Sequence, residues 1–101
     1  MSAINGMRPV HPGEILRAEL EALSLSAHAL AKELDVPVNR ITAILHGQRG
    51  VTAGTALRLA RYFGTTPQVW LNLQKTYELR RAEIELSREV AERVKPRQTV
   101  A

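Results

Sequence analysis

Cysteine is absent from the 101 residues. That excludes disulfides, thiol catalysis and cysteine-ligated zinc, and leaves hydrophobic burial to hold the fold. Aromatic residues are scarce: one Trp, two Tyr and one Phe (Trp70, Tyr62, Tyr77 and Phe63). These are too few for a platform that stacks successive bases. No run approaches the ~18 consecutive apolar residues of a membrane span, so no membrane passage is expected. The opening residues, Met1 to Gly6, lack a basic region followed by an apolar one. They do not read as a secretory signal, and a cytoplasmic location is expected. Period-2 alternation and fixed-period repeats are also missing. His11, His28 and His46 are too scattered for a metal site, and no paired-histidine spacing occurs. Structural or surface roles suit all three. No Ser/His/Asp arrangement or glycine-rich phosphate loop stands out, so neither an enzyme nor a cofactor is expected.

The length corresponds to one small domain, and 45% apolar content is ordinary for a globular chain. Lys and Arg number 14 against 10 Asp and Glu, a formal charge of +4. Such an excess suits nucleic acid without establishing it. Its distribution is uneven. From His11 to Leu23, Arg17 stands against Glu14, Glu19 and Glu21. From Ser26 to Gly64, Lys32, Arg40, Arg49, Arg58 and Arg61 stand against Glu33 and Asp35. The middle is therefore the candidate anion-facing region, with a solvated surface as the plain alternative.

The remaining signals are helical. Pro12 suits the first position of a helix, and Glu14 then favours the positive end of its dipole. Ile15, Leu16, Leu20 and Leu23 recur at helical spacing, predicting a helix from Pro12 to Leu23. Ser26 is a good N-cap for a short helix from Ala27 to Leu34, with Leu25 and Leu30 placed as a hydrophobic staple. Asp35-Val36-Pro37 interrupts it, because the residue before a proline is pushed out of the α region. A third helix is predicted from Pro37 to His46. Ile41, Ile44 and Leu45 face inward, Val38, Asn39, Arg40, Thr42 and Ala43 face outward, and Gly47 ends it. Thr52 caps a fourth helix with Ala56, Leu57, Leu59, Ala60 and Phe63 inward and Gly64 at its end. Thr66-Pro67 opens a fifth, with Val69, Trp70, Leu73 and Tyr77 on its apolar face.

From Leu79 onward Glu and Arg dominate, and Leu79, Leu86, Val90 and Val94 leave only a thin apolar stripe. Glu78–Arg81 and Glu89–Arg93 are favourably spaced, and Glu85–Glu89 is a like-charge pair. An isolated helix of this kind is marginal in water. It pairs with a partner or frays, Pro96 ends it, and Arg97 to Ala101 forms a loose end. The expected division is a domain over residues 1–82 and a helical extension and tail over 83–101.

Two short helices joined by a tight turn form a helix-turn-helix unit. Its second helix enters a DNA major groove, and its first crosses over through small residues. Ala31 sits where the two helices meet, opposite Ile41. The segment from Leu25 to Ile41 resembles the helix-turn-helix of lambda-repressor-like (XRE) regulators, and Leu45-His46-Gly47 stands at a similar helix end. Within that family the chain is similar to the HigA/VapI antitoxins. His11-Pro12-Gly13-Glu14-Ile15-Leu16 resembles their opening. Arg40-Ile41-Thr42, Gly47-Gln48-Arg49-Gly50-Val51-Thr52 and Thr55-Ala56-Leu57-Arg58-Leu59-Ala60 resemble their middle. Phe63-Gly64-Thr65-Thr66-Pro67 and Trp70-Leu71-Asn72-Leu73-Gln74 resemble their fourth and fifth helices. The resemblance covers Met7 to Ala82 and is silent on residues 83–101. It implies an all-α fold, a five-helix lambda-repressor-like DNA-binding domain with a charged helical C-terminal extension. It further implies a homodimer that represses its own operon and neutralises a HigB-like ribonuclease toxin.

Nine residues form the candidate DNA-binding set. Ser26 and Ala27 open the second helix, and the N–H groups there form a natural phosphate seat. Asn39 can bond an adenine bidentately and Arg40 a guanine or a phosphate, while Val38, Thr42 and Ala43 offer methyl contacts to thymine. His46 at the helix end and Arg49 in the following loop complete the set, with Arg49 within reach of the DNA backbone. One such unit reads few base pairs, so a two-fold partner is expected. The fifth helix with the start of the tail is the favoured pairing surface, and the distal tail is the alternative. Two other readings stand beside the antitoxin: a stand-alone repressor without a toxin partner, and a helical adaptor whose basic centre is incidental.

Overall fold

The computed structural model describes residues 8–98. Within them five helices follow one another: α1 (Pro12–Leu23), α2 (Ala27–Leu34), α3 (Val38–Leu45), α4 (Ala53–Phe63) and α5 (Pro67–Arg93). No strand occurs among the described residues. The expected all-α class is the observed one. The reading of the opening residues as no signal falls on residues 1–7, outside the described ones, as do residues 99–101 of the expected loose end.

Four of the five helices begin at a side-chain cap. His11, not a hydroxyl, caps α1: its Nδ1 accepts from the Gly13 N–H at 2.9 Å, and Glu14 accepts from the His11 N–H at 3.3 Å. The two bonds satisfy orphan donors reciprocally, as a capping box does. Ser26 Oγ accepts from the Ala29 N–H at 3.0 Å, and Thr52 and Thr66 accept from the Thr55 and Val69 N–H groups. The α2 end closes on Asp35 in the left-handed region (φ 57°), which a short polar side chain tolerates. Pro37 caps α3 with no side-chain bond and His46 follows its end, so α3 is one residue shorter at each end than predicted.

Leu16 and Leu20 from α1, Leu30 and Leu34 from α2, Ile41 and Ile44 from α3, and Ala56 and Leu59 from α4 bury together, with Trp70 of α5 closing the core. Truncating a buried Leu or Ile to Ala in such a core costs about 2–5 kcal/mol. Ala31, buried to 3% exposure, lets α2 and α3 approach closely. Gly13 does the same for α1 and α3, since a Cβ there would run into the Ile44 carbonyl.

Two expectations change. Leu57, expected inward on α4, is 62% exposed. Ala56, Leu59 and Ala60 set the buried side, Leu57 projects about 100° round the helix from Ala56, and Thr55 takes the inward place. On α5, Val69 is 46% exposed rather than buried in the apolar face, and the residues buried there are Trp70 and Gln74. The α5 helix runs unbroken for 27 residues through position 82. Its ion pairs among the described residues include Lys75–Glu78, Arg80–Glu83, Arg81–Glu85 and Arg88–Glu92. The distal half stands free of the core, which accounts for a longest dimension of 56 Å.

Candidate nucleic-acid interface

The candidate surface is built around α2 and α3. The Asp35-Val36-Pro37 turn is held from outside the unit. Arg58 of α4 donates to the Leu34 carbonyl at 2.6 Å and the Asp35 carbonyl at 3.4 Å. Its positive charge also suits the negative end of α2. Arg58 is one of the basic residues of the centre, and its guanidinium is engaged in this turn. Arg17 serves α3 in the same way, donating to the Leu45 carbonyl at 3.1 Å.

At the start of α2, Ser26 is exposed and Ala27 half-buried. Both line an open depression of about 460 Å³ with Arg17 and Leu45. The N-terminus of α2 thus lies beside the end of α3. On α3, Asn39, Thr42, Ala43 and His46 recur at i, i+3, i+4 and i+7 and share one face. Asn39 and His46 are exposed, while Val38, Arg40, Thr42 and Ala43 are half-buried. Thr42 Oγ1 donates to the Asn39 main-chain carbonyl at 3.2 Å, and the Asn39 residue is exposed. Arg40 sits at the edge of that face, not fully outward as expected. Its Nε is enclosed and has no hydrogen-bond partner. An enclosed donor without an acceptor is costly.

The loop after α3 turns on Gly47 in the left-handed region (φ 72°). Its Val51 N–H donates to the buried Gln74 Oε1 at 2.8 Å. The His11 ring meets Tyr77 edge to face, with ring centroids 4.8 Å apart. Burial lowers the pKa of His11 from its ordinary value, against the opposing influence of Glu14. Arg49 itself points into solvent, and among the described residues its guanidinium has no hydrogen-bond or ion-pair partner. Sequence reasoning assigns His11 a structural or surface role and does not single out Gln74. The signal is nonetheless present: Gln74 is four residues after Trp70 and three before Tyr77, on the same face of α5.

Among the described residues no group of three or more acidic or histidine side chains is arranged to hold a metal ion. No described helix is long and apolar enough to cross a membrane.

Two short helices meeting at an alanine across a tight turn, with a polar face left outward on the second, define a helix-turn-helix protein. A helix-turn-helix family model matches residues 16–70, and the chain belongs to that family. Within it, the similarity runs to HigA-type antitoxins. The chain is 59% identical over 80 residues to virulence-associated protein I of Dichelobacter nodosus, covering 78% of this chain and 74% of that one. A HigA-family addiction module antidote protein from Coxiella burnetii superposes with a TM-score of 0.88 at 53% identity, over 90% of this chain and 100% of that one. The Pseudomonas aeruginosa antitoxin HigA, solved with the higBA promoter, superposes with a TM-score of 0.87 at 41% identity, over 90% and 100%.

Proposed function

We propose that this chain is a cytoplasmic, homodimeric repressor of its own operon that also neutralises a HigB-like ribonuclease toxin. The observation that carries the DNA-binding part is the solvent-facing Asn39–Thr42–Ala43–His46 face of α3, set beside the Ser26-capped start of α2. The similar HigA from Pseudomonas aeruginosa was solved with promoter DNA. In this reading Ser26, Ala27 and Arg49 meet phosphates, while Val38, Asn39, Arg40, Thr42, Ala43 and His46 meet base edges or the adjoining backbone.

Two copies pair through α5. Its exposed Val69, Leu79 and half-buried Leu73 line an apolar groove of about 690 Å³ with Val10, and no described helix of the same chain fills it. A two-fold dimer brings two copies of α3 to successive major-groove faces.

The test is a titration of the full chain on DNA carrying its own promoter and on scrambled DNA, at several salt concentrations. The expected result is a preference of at least ~10³-fold for the promoter with a steep salt dependence. Equal affinity for both DNAs removes the repressor reading, and absence of any salt slope favours the adaptor. The toxin partner is tested by co-expression with a small protein encoded beside the gene, followed by purification. Co-elution supports the antitoxin. A second reading, a stand-alone repressor, is favoured by the 44% identity over 73 residues to a Haemophilus influenzae HTH-type transcriptional regulator. Promoter binding with no co-eluting partner supports that one.

A further inference from the structure

The loop between α3 and α4 carries Arg49 on a short span with little structure of its own, yet it packs on side chains from α5 and from the α1 cap. Gly47 turns over the His11 ring, whose carbons lie 3.9 and 4.0 Å from where a Cβ would stand. The Val51 N–H is taken by Gln74 Oε1. Gln74 in turn donates from Nε2 to Glu78 at 2.9 Å, so both ends of its amide are satisfied and its orientation is set. Gly50 completes the fit: a Cβ there would stand 2.7 Å from the Gln74 amide nitrogen. Burying a glutamine in a core is unfavourable, and only full hydrogen bonding offsets its desolvation. Its side-chain oxygen accepts from a loop amide 23 residues away in the chain.

We infer that Gln74, seconded by His11, is a positioning residue for DNA binding: from α5 it fixes the 47–51 loop and aims the unpartnered Arg49 guanidinium at the nucleic-acid backbone. The inference rests on the DNA-binding reading above. It makes α5, the proposed pairing helix, also the support of a DNA-contacting loop that lies against it. A loose loop still carries the charge of Arg49 but must lose conformational entropy on binding, so it holds the phosphate less often.

The test uses the full chain on its own promoter DNA, with Arg49→Ala, Gln74→Leu, the double variant and the exchange Gln74→Glu/Glu78→Gln. Gln74→Leu should weaken promoter binding about tenfold and make the salt slope shallower, by about 0.9 for each phosphate no longer neutralised. Adding Arg49→Ala to it should change little further. The exchange variant keeps an acceptor for the Val51 N–H and a donor–acceptor pair across one helical turn, so it should restore the wild-type slope. If Gln74→Leu does not fold, Gly50→Ala displaces the same amide without opening a cavity and should give the same loss of slope. Should wild type show the salt-dependent preference while Gln74→Leu or Gly50→Ala matches it in slope, the positioning role is wrong and the DNA reading stands. Should Arg49→Ala cost as much in the Gln74→Leu background as in wild type, the role is equally wrong. If wild type shows no preference at all, the DNA reading falls and takes this inference with it.

Discussion

At the scale of single residues, two glycines with opposite surroundings make a paired prediction. A Cβ on Gly13 meets the backbone carbonyl of Ile44, an atom that moves only with α3 itself. Gly13→Ala should therefore destabilise by about 2–3 kcal/mol, read by urea denaturation. Gly54 has nothing within 4 Å of its would-be Cβ and lies in the first turn of α4. Gly54→Ala should stabilise by about 0.5 kcal/mol through lower unfolded-state entropy, seen as a raised Tm. The α1 cap yields a pH prediction. The Arg8 guanidinium, 2.8 Å from Glu14, holds that carboxyl down from 4.5 to about 2. A depressed carboxyl contributes stability above its unfolded pKa and loses it as pH falls through the folded one. Burial lowers His11 from 6.5, so below that pH the unfolded chain takes up a proton that the folded ring resists, and stability falls again on acidification. Thermal unfolding as a function of pH should show two declining stages, one starting below 6.5 and one between 4.5 and about 2. Arg8→Ala should flatten the lower stage and leave the upper.

At the scale of elements, α3 is short and its outward face is distinct from its core side. Ile41 and Ile44 are fully buried while Asn39 is exposed. Asn39→Ala should leave stability within about 0.5 kcal/mol of wild type and weaken promoter binding by about 1–3 kcal/mol, with little change on scrambled DNA. An unchanged ratio between the two DNAs would remove Asn39 from the reading set. Helix limits were legible because caps and breakers are local: Ser26, Thr52, Thr66-Pro67, Gly47 and Gly64 each act within a turn. Facing was less legible. Leu57 looks apolar enough to bury, and only the angular position set by Ala56, Leu59 and Ala60 turns it to solvent. Gln74 errs the other way, a polar residue drawn inside because a loop amide needs it.

At the scale of the whole molecule, the proposed dimer pairs through the exposed apolar side of α5. Leu79 is 61% exposed and lines the groove, so Leu79→Glu leaves the core intact. It should shift the chain toward monomer in light scattering at unchanged Tm and weaken promoter binding with it. Truncation after Ala82 should keep the dimer mass, since the groove ends near Glu83. Loss of the dimer on truncation, with Leu79→Glu still dimeric, would move the interface to Leu86 and Val90.

The amino-acid order by itself determined the all-α class, the helix starts to within one residue and the α2–turn–α3 unit. Those depend on apolar period, capping side chains and proline or glycine stops, all of which act over a few residues. Only the tertiary structure decided which charges are engaged and which are free. Arg17 and Arg58 are bound to helix-end carbonyls 28 and 24 residues away, and the Arg40 Nε is enclosed, while Arg49 is left open. It alone decided that His11 and Gln74 converge on the Arg49 loop. Hydrogen bonds across the core are set by packing distance rather than by neighbourhood in the chain, so no local pattern carries them.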